Sequence, residues 1–480
     1  MASYPKIKLL IGGEWRTRSS DISIVNPADE SVLGWIPKAT AEDLDDALRA
    51  AEAGLAVWRR ETPAARAELI CRATSIVRSR VDMIATAMTL EQGKPLAQSC
   101  GEVLRACELI EWDAAEGRRT YGRVIPGAEG MHVTTVRQPI GVVAAFSPWN
   151  FPISSPARKV GGALAGGCSI ILKASEETPA GAFLLAQAFV DAGLPPGVLN
   201  LVYGIPSEIS DHLISNPAVR LVTFTGSVAV GKRLAELAGR YMKPAIMELG
   251  GHAPVVVWDD VDPGEAAKIA VIGKSRNAGQ VCVSPTRFFI HERIFDDFVS
   301  EFARHASALK IGNGLDSKID FGPLANPRRL EAMDEFVADA VAKGARLVTG
   351  GARIGNQGYY YPLTVLADVP DEARAMREEP FGPIALMNRI RTLDEAIEKA
   401  NALPYGLNAY ALTTSPTNVA ALGQRIECGS LSINYFGASS AETPIGGVKD
   451  SGYGREGGSE GLENYTVVKL LTHNVMAFAQ

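Results

Sequence analysis

Five short, mainly apolar runs stand out between residues 142 and 248. Val142-Val143-Ala144-Ala145-Phe146 has no polar position at all. A strand buried on both faces reads this way, whereas a half-exposed strand alternates. Ser169-Ile170-Ile171-Leu172, Val198-Leu199-Asn200-Leu201-Val202, Leu221-Val222-Thr223-Phe224 and Ala245-Ile246-Met247-Glu248 follow it. The segments between them place their apolar residues at helical spacing. Strands alternating with helices of this length predict right-handed βαβ crossovers and a doubly wound parallel sheet. Such a sheet binds its ligand at the carboxyl ends of its strands.

A second α/β pattern begins at Pro254-Val255-Val256-Val257. It continues through Phe288-Phe289-Ile290, helices near 293–309 and 327–343, Arg346-Leu347-Val348 and Pro383-Ile384-Ala385-Leu386. Ahead of the first pattern, residues 8–40 read as short strands and turns. From Ala41 to about Ala115 the spacing is helical, with Thr40 as N-cap and a break at Gly93-Lys94-Pro95. His132 to Val136 alternates as an antiparallel arm does, and Glu463 to Thr472 alternates weakly, as an edge-pairing strand would. The expected fold is α/β in three parts. A dinucleotide-binding domain takes 1–122 and 141–250, a catalytic domain takes 251–460, and a β oligomerisation element takes 123–140 and 461–480.

The 480 residues are too many for one hydrophobic core, which agrees with several domains. A net charge of −6 with scattered Lys and Arg leaves no footprint for nucleic acid or a membrane surface. The six cysteines form no CxxC and no disulfide framework, which fits a reduced, cytoplasmic compartment. The six histidines lack the spacing of a metal site, so no metal is expected. The first ten residues are too polar for a signal peptide, and no apolar run is long enough to span a bilayer.

Candidate chemistry sits in loops at predicted strand ends. Gly279-Gln280-Val281-Cys282 puts a thiol in a short loop ahead of a rigid strand, where a substrate can reach it; the bland alternative is a buried cysteine. Glu248 closes a strand ahead of Gly250-Gly251, the setting of a general base or of a simple surface carboxylate. Asn150, in Trp149-Asn150-Phe151-Pro152, offers an amide to a developing oxyanion or belongs to an ordinary turn. Gly226 and Ser227 lie between a strand and a helix, where free amides favour phosphate; Arg233 replaces the hydroxyl residue that a P-loop requires. Lys173 and Glu176 follow the second strand, where such residues hold ribose hydroxyls or pair on a solvated loop. Glu379 and Phe381 lie in a loop stiffened by Pro380 and Pro383. Gly452-Tyr453-Gly454-Arg455-Glu456-Gly457 matches GxGxxG but reads as a loop.

Together, Pro148-Trp149-Asn150-Phe151-Pro152, Lys173 with Glu176, Phe224-Thr225-Gly226-Ser227, Glu248-Leu249-Gly250-Gly251, Gly279-Gln280-Val281-Cys282, Glu379-Pro380-Phe381-Gly382-Pro383 and Pro444-Ile445-Gly446-Gly447-Val448-Lys449 resemble the motif series of the aldehyde dehydrogenase superfamily over essentially the whole chain. The resemblance implies Cys282 as nucleophile, Asn150 with the Cys282 amide as oxyanion hole, and Glu248 as the base that activates water, with hydrolysis rather than transfer to coenzyme A. It implies a cofactor site of Lys173, Glu176, Gly226, Ser227, Trp149, Glu379 and Phe381. A carboxylate at Glu176 would repel a 2′-phosphate, so NAD is expected over NADP. Arg158, Arg287 and Ser440 match residues that semialdehyde dehydrogenases use for the substrate's remote carboxylate, a task suited to a guanidinium fork. Succinate semialdehyde is the first expectation. A 2-oxoglutarate semialdehyde dehydrogenase, a broad-range enzyme with structural arginines, and a catalytically silent member of the fold are the alternatives. Ser284 stands where some succinate-semialdehyde dehydrogenases carry a redox-switch cysteine, so no such switch is expected. The resemblance further implies a homodimer or homotetramer.

Overall fold

The computed structural model describes residues 4–20, 22–437 and 439–475. Its first sheet has eight strands in the order Glu14–Arg16, Leu9–Ile11, Leu199–Val202, Ser169–Lys173, Val142–Phe146, Val219–Gly226, Ala245–Leu249, Gly452–Tyr453. The five central strands run parallel, as their mainly apolar sequences alternating with helices predict. Val142–Phe146 comes first in the chain and lies in the middle. Later strands are added to one side and then to the other, so the order reverses between Val142–Phe146 and Val219–Gly226. A crevice opens at such a reversal, outside the carboxyl ends of the strands.

The second sheet has seven strands, ordered Arg346–Thr349, Thr364–Ala367, Ile384–Ile390, Pro285–His291, Ala253–Val257, Asn408–Leu412, Ser430–Ile433. All its neighbours are parallel except the pair at the Arg346–Thr349 edge. Phe288, Phe298 and Phe302 stack against one another beneath this sheet with Ala267 and Val271. A third, antiparallel sheet joins Thr466–Asn474, Met131–Pro139 and Arg123–Ile125. Val124, Val468 and Leu470 are exposed on it.

The core of the first sheet contains Leu462 and Tyr465, so this stretch of the expected oligomerisation element packs, with the helix Gly458–Glu463, against residues 7–249. The expected GxGxxG loop holds a short strand: Gly452 and Tyr453 pair antiparallel with Glu248 and Met247. A main-chain ladder of two residues leaves almost no periodicity to detect. Residues 476–480 of the expected oligomerisation element lie outside the described residues.

Candidate active site

Cys282 sits in a turn after the 3-10 segment Arg276–Gly279, just before the strand Pro285–His291. This segment is forced into the left-handed region three times in succession, with φ of 47° at Asn277, 55° at Ala278 and 70° at Gly279. A Cβ at position 279 would stand 2.3 Å from the Gly382 carbonyl oxygen, so only glycine fits there. Asn277 is fixed by its neighbours. Its Nδ2 donates to the Asn150 carbonyl at 3.0 Å, and its Oδ1 accepts from Gln92 at 2.7 Å. The cysteine loop is therefore tied to the carboxyl end of Val142–Phe146.

Asn150 is buried, and its Nδ2 donates to the Gln280 carbonyl at 3.0 Å. Its own carbonyl also accepts from Lys94 Nζ at 2.9 Å, and Lys94 pairs with Glu102 at 2.5 Å. Glu248 is 5% exposed at the end of its strand, and its Oε1 has no hydrogen-bond partner. Burial, and then the nearby Glu456, push its carboxyl up to about 8, with Lys159 opposing. Burial, then Glu248 and Glu379, push the Cys282 thiol up to about 12. The nucleophile candidate is therefore a thiol at neutral pH, beside a carboxyl that titrates near neutrality.

Cys282 and Glu248 line one cavity of about 540 Å³, together with Phe151, Val281, Tyr435 and Ile445. Three guanidinium groups line it as well: Arg105, Arg158 and Arg276. Arg158 donates to Ser439 Oγ at 3.2 Å, and Arg105 donates to the Ser439 carbonyl. The Arg276 side chain is exposed and makes no hydrogen bond or ion pair among the described residues.

Of the three expected carboxylate ligands, only Arg158 faces this cavity. Arg287 does not. It is 2% exposed and donates to the carbonyls of His252, Lys399 and Ala400, at 3.0, 3.0 and 3.1 Å. Those bonds use its fork to tie the strand Pro285–His291 to neighbouring segments. Ser440 is also displaced from the expected role. Its amide and hydroxyl turn to Thr443 Oγ1 within their own loop, and Ser439 supplies the cavity hydroxyl instead. Arg105 and Arg276 were missed. The signal for Arg105 was a helical stripe, because Gln98, Glu102, Arg105 and Leu109 on the helix Leu96–Gly117 all face the cavity.

The expected cofactor residues gather along the strand ends. Lys173 ends its strand in an ion pair with Glu176. Ser227 caps the helix Val228–Arg240 by accepting from the Val230 amide at 3.4 Å, and Gly226 precedes it. That helix N-terminus follows the strand next to the order reversal, where its free amides suit a pyrophosphate. Glu379 is held up to about 8 by burial and accepts from the Gly251 amide at 3.0 Å. Phe381, at φ 47°, meets Trp149 edge-on with ring centres 5.5 Å apart. The Lys173–Glu176 pair, the Glu379 carboxyl and the helix N-terminus after Gly226 offer the donors and acceptors that the hydroxyls and phosphates of a dinucleotide would take. Among the described residues no cluster of three His, Cys, Asp or Glu is placed to hold a metal, and no helix is long and apolar enough to cross a membrane.

A parallel α/β sheet with a crevice at its order reversal is joined to a half-buried thiol and a buried carboxyl in one cavity, the setting of a dinucleotide-dependent enzyme with a cysteine nucleophile. Comparison with known proteins gives the family. The aldehyde dehydrogenase family model matches residues 15–471, and the chain belongs to that family. It is 46% identical over 467 residues, 97% of each chain, to a Comamonas testosteroni protein named 4-(hydroxymethyl)benzenesulfonate dehydrogenase. It is 40% identical over 465 residues, 96% of each, to the NADP-dependent succinate-semialdehyde dehydrogenase of Escherichia coli. Its structure resembles that of the succinate-semialdehyde dehydrogenase of Burkholderia pseudomallei, with a TM-score of 0.96, 40% identity and 98% of each chain covered. The protein is an NAD(P)-dependent aldehyde dehydrogenase.

Proposed function

We propose that the protein oxidises an aldehyde carrying a remote anionic group to the carboxylic acid, with NAD in preference to NADP. The observation that carries this reading is one shared cavity, with Cys282 and Glu248 on its wall and unpaired guanidinium charge on the same wall. Glu248 accepts the Cys282 proton, directly or through water, as Sγ bonds to the aldehyde carbon. Asn150 Nδ2 and the Cys282 amide donate to the oxygen as it gains charge, once Asn150 releases the Gln280 carbonyl. A bound NAD would supply the hydride acceptor for this carbon, whose oxidation leaves a thioester on Cys282. After passing the Cys282 proton to solvent, Glu248 takes one from water, which attacks the resulting thioester; collapse expels the Cys282 thiolate, which regains its proton from Glu248, and frees the acid. Arg158 and Arg276 hold the remote anion and fix the distance between it and Cys282. Lys173 and Glu176 hold the adenosine ribose, Ser227 the pyrophosphate and Glu379 the nicotinamide ribose.

Succinate semialdehyde is the first substrate to test, and 2-oxoglutarate semialdehyde the next. The Comamonas relative supports a second reading, an aromatic aldehyde bearing a sulfonate. Initial rates of reduced-cofactor formation decide among them, with an uncharged aldehyde of similar length as reference and NADP run in parallel. A tenfold advantage for the anionic aldehydes, about 1.4 kcal/mol of transition-state preference, supports the anion clamp. Equal rates with the uncharged aldehyde refute the clamp and leave a broad-range enzyme.

A further inference from the structure

Arg105 has no part in the chemistry above, and its surroundings are unusual for a structural arginine. Its guanidinium and that of Arg158 converge on one residue from two different helices: Arg105 donates to the Ser439 carbonyl and Arg158 to the Ser439 hydroxyl. No carboxylate bridges them. The acids facing Arg105 are Glu108, at 3.7 Å with 53% of its side chain exposed, and the exposed Glu442. Arg158 has no ion pair among the described residues, and burial pushes the carboxyl of the neighbouring Asp113 well above its usual range, with Arg158 opposing. Burial and the charge of Arg158 both work against the Arg105 guanidinium. Two like charges side by side in a partly desolvated wall are costly unless an anion joins them. Arg276 adds a third, unpartnered, from the segment leading into the cysteine loop.

A carboxylate has two oxygens in one plane, and a single guanidinium fork satisfies both. Three forks, carried by the helix Leu96–Gly117, the helix Ser154–Ala165 and the segment Arg276–Gly279, approach from three backbone elements. We propose that Arg105 is a specificity-determining residue that completes a three-guanidinium pocket for a trioxygen anion of the sulfonate type on the aldehyde substrate. This rests on the anionic-aldehyde reading above and narrows it. The guanidinium of Arg105 takes the third oxygen, which a carboxylate lacks.

The test compares aldehydes matched in frame and formal charge: 4-formylbenzenesulfonate with 4-formylbenzoate, and succinate semialdehyde with its sulfonate counterpart. Benzaldehyde and butanal are the uncharged references. Wild-type protein should favour the sulfonate of at least one pair by about tenfold in kcat/KM. Arg105→Gln should erase that gap through KM, cutting the sulfonate by about 10- to 100-fold, the worth of one charge-assisted hydrogen bond. The matched carboxylate should change less than about threefold. Arg105→Lys keeps a charge but loses the fork, and should recover only part of the preference. Carboxylates equal to or better than sulfonates in both pairs overturn the proposal. So does an equal loss for both anions in Arg105→Gln, which would make Arg105 a mere pin for the Ser439 loop. If neither anion outruns its uncharged reference, it is the anionic-aldehyde reading itself that falls.

Discussion

Lys159 Nζ lies 2.7 Å from Glu456 Oε1, in a buried knot that includes Thr223 and Thr225 and borders Glu248. Glu456 raises the Glu248 carboxyl and Lys159 lowers it, so this pair tunes the candidate base. With Glu248 near 8, kcat should rise through about pH 8 as the carboxylate forms. Glu248→Gln should still form the thioester but hydrolyse it slowly. The expected signature is a burst of reduced cofactor approaching one per subunit, then a steady rate lowered by about 10²- to 10⁴-fold. The same group bears on stability. A carboxyl raised in the folded state binds its proton more tightly there than in the unfolded chain. Its stabilising contribution is complete below the ordinary value of about 4.3 and is lost as pH rises through about 8. Relative to Glu248→Gln, wild-type protein should lose stability across that window and change no further above it. Denaturant titrations at several pH values measure this directly, and a parallel pH dependence in both proteins would contradict it.

Burial, Glu248 and Glu379 together keep Cys282 a thiol. The cofactor-free protein should therefore react slowly with iodoacetamide at pH 7, because a thiol near 12 is only about one part in 10⁵ thiolate there. The rate should climb with pH beyond 9. Above pH 8, where Glu248 carries its charge, Glu248→Gln should be alkylated faster than wild type. Mass spectrometry of the peptide containing Cys282 reads both. Fast labelling at pH 7 with no gain in the variant would show that the loop activates its thiol without help.

Arg276 and Arg287 flank Cys282 in sequence but play opposite parts. Arg287→Ala leaves three carbonyls without their donor in a buried place, at about 1–3 kcal/mol for each one that water cannot reach. It should lower the melting temperature and reduce activity toward all aldehydes alike. Arg276→Ala removes no hydrogen bond, so stability should hold while the preference for anionic over uncharged aldehydes shrinks by about tenfold. A selective loss in Arg287→Ala would reverse this assignment.

The two arginines also mark where the sequence stops being informative. Wholly apolar strands such as Val142–Phe146 declare themselves, because a parallel sheet buries both faces. Asn150, Glu248 and Cys282 stand out because each lies in or beside a strand end, next to a Gly- or Pro-bounded loop. Direction of side chains is another matter. Arg287 sits at the strand end next to the cysteine, as a ligand would. What removes it from the cavity is a set of carbonyls at residues 252, 399 and 400, contributed by segments distant in sequence. Ser439 and Ser440 are adjacent in an irregular loop, and no periodicity tells which hydroxyl faces Arg158. Arg105 lies 177 positions before Cys282 on a helix whose stripe of Gln98, Glu102 and Leu109 looks like any amphipathic face until the two segments are brought together.

Glu176 bears on cofactor choice. It is held by Lys173 at the carboxyl end of Ser169–Lys173, one strand from the order reversal. A ribose with free 2′- and 3′-hydroxyls donates to a carboxylate, whereas a 2′-phosphate presents about two negative charges to it. The wild-type protein should therefore have a higher kcat/KM for NAD than for NADP. Glu176→Ser removes the repulsion, frees the Lys173 ammonium for the phosphate and shortens the side chain. Its kcat/KM for NADP should rise by at least tenfold, the scale of one unscreened charge contact near a surface, while that for NAD falls by less. The gain should lie in KM rather than kcat, since the adenosine ribose is remote from the reacting carbon, and it should shrink as salt is raised. An unchanged NADP constant in Glu176→Ser would mean that Glu176 does not reach the 2′ position, and that cofactor choice is made elsewhere along the strand ends.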